Sequence, residues 1–252
     1  MWHKPQLMNA VSDLLFVAAA AALLVAACVW AMRLPLFPLR EVVLMHELQE
    51  VRRGEIERSL SGLLLGNFFS VNLESLRQAF EKLPWVRRAE VRRQWPGRLE
   101  VRLEEHQAVA HWGDGSNQLV NTFGEVFAAA LSRDLNLPRL TGPSGSSAEV
   151  LRYYAEFSQI LRPTGRAPEH VVLSPRLAWF LKLEDGMLVE LGREQTKAPI
   201  GVRLQRFVEY YPTLSDNRRP RPIAVDMRYP NGFALRYMNA ASSASHEVRG
   251  RQ

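Results

Sequence analysis

From Leu14 to Met32 the chain runs 19 residues without a charge, between Asp13 and Arg33. As a helix this segment reaches about 28 Å at ~1.5 Å per residue, close to the ~30 Å of bilayer hydrocarbon, so it predicts one membrane-spanning helix. Two other readings compete. Val25-Ala26-Ala27-Cys28 resembles a lipoprotein cleavage box, and any apolar N-terminal stretch can be a cleaved signal. Apolar residues continue past Cys28 through Met32, however, and the preceding segment offers only Lys4 and the acidic Asp13. Cleavable signals have shorter apolar regions and basic flanks, which favours a retained anchor. The charge count, Lys4 on one side against Arg33 and Arg40 on the other, does not fix orientation, because long domains cross membranes largely regardless of charge.

The 220 residues after the anchor have the composition of folded protein, with 47% hydrophobic residues in the whole chain. A single cysteine rules out a disulfide framework, and six scattered histidines leave little material for structural zinc. Arg33 to Pro38, with two prolines, reads as a rigid linker. Leu39 to Leu48 then looks like a strand. Gly54 to Leu65 has helical spacing, and a second helix starts at Leu73 with Asn72 as N-cap and ends at Pro84. Beyond it the period changes to two: Ala89, Val91 and Trp95, a turn at Pro96-Gly97, then Leu99, Val101 and Leu103 between charges. Strand, helix, helix, strand, strand makes an α+β unit, two helices over a three-stranded sheet.

Turn signals and short alternating runs continue. Leu119-Val120 and Val126-Phe127 flank a turn at 121–125. Residues 147–162 have helical spacing at Leu151, Tyr154, Ser158 and Leu161. Leu177, Trp179, Leu181 and Leu183 alternate up to the Asp185-Gly186 turn, and Val189 and Leu191 return. A helix over about 200–211 presents Ile200, Leu204, Phe207 and Tyr211. Ile223 to Tyr229 and Phe233 to Tyr237 form a last hairpin around Pro230-Asn231-Gly232, and the small, polar stretch 239–252 reads as a disordered tail.

Catalytic patterns are missing. His46-Glu47-Leu48-Gln49-Glu50 has Glu where a zinc-binding helix needs its second histidine. Gly142 to Ser147 lacks the lysine of a phosphate-binding loop, no nucleophile elbow occurs, and Cys28 lies in the apolar helix. The arginines 87, 88, 92, 93, 98 and 102 are interleaved with Glu90, Glu100, Glu104 and Glu105, a local excess of only +2. That is a weak field for phosphate and reads as cross-strand ion pairing on a solvated sheet, with no nucleic acid partner.

Asn67-Phe68-Phe69-Ser70-Val71-Asn72-Leu73, Leu83-Pro84-Trp85-Val86 through Trp95-Pro96, and Leu99 through Glu105 closely resemble the POTRA domain of the FtsQ/DivIB family of bacterial division proteins. Ala110-His111-Trp112, Gly124-Glu125-Val126-Phe127, Leu137-Pro138-Arg139-Leu140, Ala178-Trp179, Leu191-Gly192-Arg193, Arg203-Leu204 and Val225 to Ala234 resemble the family's β domain. Local departures fall at His46, Gln107 and Asn121, where the family usually has Gly, Pro and Asp.

The resemblance implies a short cytoplasmic tail (1–13), a transmembrane helix (14–32), a linker (33–38), a POTRA domain (39–106), a mixed α/β domain with a largely antiparallel sheet (107–238) and a tail (239–252). It implies a single-pass inner-membrane protein with a periplasmic body, acting at the division septum as a scaffold and not as an enzyme. Neither cofactor, metal nor small-molecule substrate is expected. The implied partners are FtsB and FtsL, with FtsB adding a strand to the sheet edge left by the last strand. Matching the family's binding stretches places that site at Arg176, Tyr229, Asn231, Gly232, Phe233 and Tyr237. Two alternatives are another POTRA-bearing transport or assembly factor and, with no catalytic constellation behind it, a tethered periplasmic enzyme.

Overall fold

The computed structural model describes residues 5–33, 38–45, 48–64, 67–115, 117–131, 133, 135–215, 220–229 and 232–237. Helix α1 (Pro5–Arg33) contains the apolar segment. Its Asn9–Trp30 stretch has a mean hydropathy of 2.3 and is 0% buried. A helix apolar on every side and covered by no protein satisfies its own backbone hydrogen bonds and leaves its side chains for lipid, which fits a single-pass anchor. Contacts divide the chain into two compact units, Met1–Glu105 and His106–Gln252.

The first unit contains β1 (Glu41–Leu44), α2 (Arg53–Leu60), α3 (Leu73–Glu81), β2 (Val86–Gln94) and β3 (Arg98–Glu105). The sheet order is β1-β3-β2, with β1 parallel and β2 antiparallel to β3. Asn72 caps α3 as expected: its side-chain oxygen accepts from the N–H groups of Glu74 (3.0 Å) and Ser75 (3.1 Å). Ile56, Leu60, Leu76 and Phe80 from the helices meet Ala89, Leu99, Val101 and Leu103 from the sheet in the core. On the opposite face the register sets Glu90 against Arg102 and Arg92 against Glu100. Arg93 serves the fold differently, donating from Nε to the Phe68 carbonyl (2.9 Å) and from Nη2 to the Val71 carbonyl (2.7 Å). Trp95 departs from the alternation read in the sequence. It stands at the hairpin turn with 63% of its surface exposed.

The second unit holds β4 (Ala108–Trp112), β5 (Gln118–Asn121), β6 (Val126–Ala128), β7 (Arg139–Thr141), α4 (Ser147–Leu161), β8 (Pro168–Leu173), β9 (Ala178–Leu183), β10 (Leu188–Arg193), α5 (Ile200–Leu214), β11 (Ala224–Asp226) and β12 (Ala234–Arg236). They form one nine-stranded sheet in the order β12-β11-β10-β9-β8-β7-β4-β5-β6. Parallel pairs occur at β4/β7, β7/β8 and β10/β11, and the remaining neighbours are antiparallel. Helices α4 and α5 cover one face. Val150, Phe157 and Leu161 of α4 and Ile200, Leu204 and Phe207 of α5 pack on Val171, Leu181, Val189, Leu191 and Val225.

The buried stripe of α4 is therefore Val150, Phe157 and Leu161, not the Leu151, Tyr154, Ser158 and Leu161 spacing, because two neighbouring sets of apolar residues satisfy the same helical period. Leu177 also leaves its expected strand. It lies 61% exposed in the β8–β9 turn with φ 59°. Asn121, where the family usually has aspartate, does an aspartate's work: its Oδ1 accepts from the N–H groups of Phe123 and Glu125, both at 2.9 Å.

Candidate partner-binding surface

Among the described residues strand β12 is the last strand on its side of the sheet. It is antiparallel to β11, with Val225 opposite Leu235, and the Arg236 carbonyl accepts from the N–H of Ile223 (2.8 Å). Polar groups of successive strand residues point to alternate sides, so Leu235 turns its N–H and C=O away from β11, to the open side. Such an edge is a template for another strand.

Side chains differ between the two faces of this edge. On the helix side Phe233 and Leu235 are half-buried against the main core. Tyr210 of α5 sets its ring 5.0 Å from that of Phe233. Tyr229 and Tyr237 are exposed, and the Tyr229 carbonyl accepts a hydrogen bond from Arg206 of α5 (3.3 Å).

The other face, free of helices, is charged. Glu190 of β10 stands beside Asp226 of β11 in the parallel register. Arg228 balances them: its Nε donates to Asp226 Oδ1 (2.8 Å) and its Nη2 lies 3.7 Å from Glu190, as does that of Arg236. The hydrogen-bonded Arg228 guanidinium holds the Asp226 carboxyl below its ordinary value of 3.8. Next to this network a concave surface of about 660 Å³ is lined by Arg176, Ala178, Phe180, Gly192, Arg193 and Arg228, among others. Arg176 and Arg193 make no ion pair among the described residues.

Beneath the groove β10 bulges between Glu190 and Gly192, and Gly192 has φ +74°. Arg203 of α5, 0% exposed, donates Nη1 to the Leu191 carbonyl and Nη2 to the Arg193 carbonyl, on either side of that glycine. Burial lowers the Arg203 pKa from its ordinary value, with the Glu194 charge acting in the opposite sense. The buried arginine thereby fixes the strand that presents Arg193 and leaves room for Arg228.

The residues chosen from the sequence thus fall in two places. Arg176 lies in the charged groove. Tyr229, Gly232, Phe233 and Tyr237 surround the open edge, and Asn231 lies outside the described residues. Sequence reasoning missed Arg193, Arg228 and Tyr210. Arg228 sits inside the stretch matched to the family but reads as one more surface arginine, and Tyr210 is masked by its neighbour Tyr211, which fits the buried stripe. His46 and Glu47 of the zincin-like segment also lie outside the described residues. Among the described residues no group of three or more His, Cys, Asp or Glu could hold a metal ion.

One apolar helix that fits a single-pass anchor, a unit of two helices on a three-stranded sheet and a mixed sheet domain are together the architecture of a POTRA-type protein. Residues 37–106 match the family described as "POTRA domain, FtsQ-type", and residues 110–228 match "Cell division protein FtsQ/DivIB, C-terminal". Over 237 residues, 94% of this chain and 94% of the other, the sequence is 40% identical to "Cell division protein FtsQ" of Burkholderia pseudomallei. It is 38% identical over 254 residues to the protein of the same name from Bordetella pertussis, covering 93% of this chain and 92% of that one. With that of Nitrosospira multiformis it shares 39% over 241 residues, 94% and 99% of the two chains. The chain belongs to the FtsQ/DivIB family of cell division proteins.

Proposed function

We propose that this chain is a non-enzymatic scaffold of the division machinery that holds FtsB, together with FtsL, on the outer edge of β12 and so joins early to late division proteins during septum formation. In this reading residues 1–13 are cytoplasmic, the anchor 14–32 and linker 33–38 cross and leave the inner membrane, and the POTRA (39–106) and partner-binding (107–238) domains work in the periplasm at the septum. The tail 239–252 carries no role in it.

The observation that carries this reading is the open side of β12, where a backbone edge lies beside aromatic side chains. Main-chain hydrogen bonds to an added strand supply affinity with little demand on sequence, while Tyr229, Phe233 and Tyr237 offer large contact area at low entropic cost. In this reading Asn231 and Gly232, which precede β12 in the sequence, belong to the same site. Arg176, Arg193 and Arg228 in the neighbouring groove suit an acidic helix continuing from that strand.

Binding of the FtsB periplasmic segment to the detergent-solubilised chain tests the site. Tyr229→Ala is expected to cost about 2 kcal/mol, roughly thirtyfold in affinity, with an unchanged melting temperature. Unchanged affinity in the folded variant removes Tyr229 from the site. In cells, depletion is expected to give filaments, and a fluorescent fusion is expected at midcell. Normal division after depletion contradicts the reading as a whole.

A further inference from the structure

We propose that the tip of the β2–β3 hairpin rests in the lipid headgroup layer, giving the POTRA unit a second, peripheral contact with the membrane that α1 crosses. Three aromatic rings gather there. Trp95 is 63% exposed, Phe69 39% and Phe68 4%. Phe68 meets Trp95 edge-on at 5.9 Å and Phe69 at 5.2 Å, and Phe69 lies 6.4 Å from Trp95. The platform is rigid, because Arg93 of β2 donates to the carbonyls of Phe68 and Val71 and so ties the 67–71 loop to the hairpin. Two large aromatic rings held toward solvent by a preformed scaffold mark an interaction surface.

The covalent path identifies what covers it. Both stretches that carry the rings abut Pro38. Pro38 bridges to Asn67, the Gly97 carbonyl accepts from the N–H of Arg40 (2.8 Å), and a Cβ on Gly97 would stand 3.0 Å from the Pro38 carbonyl oxygen. Helix α1 ends at Arg33. Five residue steps separate Arg33 from Pro38, a path of at most roughly 18 Å even when fully extended. The aromatic tip is thus tethered within reach of the interface where the anchor emerges. Trp is the side chain best suited to that layer, its ring in the upper acyl region and its N–H toward lipid oxygens. Arg40, exposed and lying along Gly97, supplies a cation for lipid phosphate. A peripheral contact of this kind limits how far the POTRA unit swings about its linker.

The test uses the full chain reconstituted into vesicles of phosphatidylethanolamine and phosphatidylglycerol, with part of the lipid brominated near the headgroup end of its acyl chains. Subtracting the emission of Trp95→Phe from that of the unaltered protein isolates Trp95 among the six tryptophans, and subtracting that of Trp30→Phe isolates Trp30 in α1, which reports on the anchor. The expected result is a blue-shifted Trp95 component that the brominated lipid quenches. A Trp95 component with the emission of a water-exposed indole and no quenching, while Trp30 is quenched, overturns the proposal. Loss of quenching at both positions overturns the anchor along with it. A photoreactive lipid applied to the unaltered chain gives a second readout free of any folding effect of the substitution. Labels within 94–98 or 67–71 support the contact, and labels confined to α1 contradict it, including the case in which a protein partner covers the rings instead.

Discussion

Gly192 of β10 makes room for Arg228: a Cβ at position 192 would stand 2.8 Å from Arg228 Cγ and 3.3 Å from Arg203 Nη1. With φ +74° the position also disfavours any L side chain by about 1–2 kcal/mol. Gly192→Ala is therefore expected to lower the melting temperature and to push Arg228 off Asp226. If the groove takes part in the proposed FtsB site, the same substitution is expected to weaken FtsB binding. Thermal unfolding and affinity measured on the same variant check both effects, and an unchanged melting temperature contradicts the packing described here.

Arg203 is buried, and its guanidinium donates to two backbone carbonyls, those of Leu191 and Arg193. Removing it leaves the buried Leu191 carbonyl and the part-buried Arg193 carbonyl without these donors, a loss of about 1–3 kcal/mol for an acceptor left unsatisfied in the interior. Arg203→Met is expected to destabilise the sheet domain by about 2–5 kcal/mol in denaturant unfolding of the solubilised chain. Arg203→Lys recovers only part of this, since a single ammonium cannot reproduce the two-pronged fork.

His111 of β4 and His170 of β8 sit on the helix-free face beside Arg139, lining one cavity with it. Burial, and then the Arg139 charge, lowers both pKa values below the ordinary 6.5; for His170, Asp114 and Glu169 partly oppose this and Lys182 adds to it. The unfolded chain therefore takes up protons first as pH falls. Stability is fully present above the unfolded value, declines as pH drops below about 6.5, and levels off once the folded histidines are protonated too. The melting temperature is expected to fall between about pH 7.5 and about pH 5.5, and a His111→Gln/His170→Gln variant is expected to show a flatter profile. Equal slopes for the two proteins contradict the assignment to these histidines.

The elements most legible in the sequence are those whose information is local. Asn72 announces the start of α3 because an N-cap acts within three residues, and the Arg/Glu alternation from Arg87 to Glu105 announces β2 and β3 because one face of that hairpin is wet. Leu177 and Trp95 misled the period-two reading at the ends of their strands, since alternation says nothing about where a strand stops and a turn begins. The groove was not legible. Arg176, Arg193 and Arg228 lie far apart in the chain and meet only through the β9/β10/β11 pairing, and Arg203 looks like a surface residue until α5 is docked on β10. Tyr229, Phe233 and Tyr237 were found through the family resemblance. Alternation alone could not say that Phe233 turns to the core while Tyr229 stays exposed.

Amide hydrogen exchange at β12, with and without the FtsB periplasmic segment, tests the strand-addition reading most directly. In the free chain the Leu235 N–H, on the side away from β11, is expected to exchange faster than the amides of β9 and β10 inside the sheet. The expected result on saturation is strong new protection at Leu235 and its neighbours in 233–237, with little change at the far edge strand β6. Tight binding that leaves exchange across 233–237 unaltered contradicts strand addition at β12 and moves the partner to another surface.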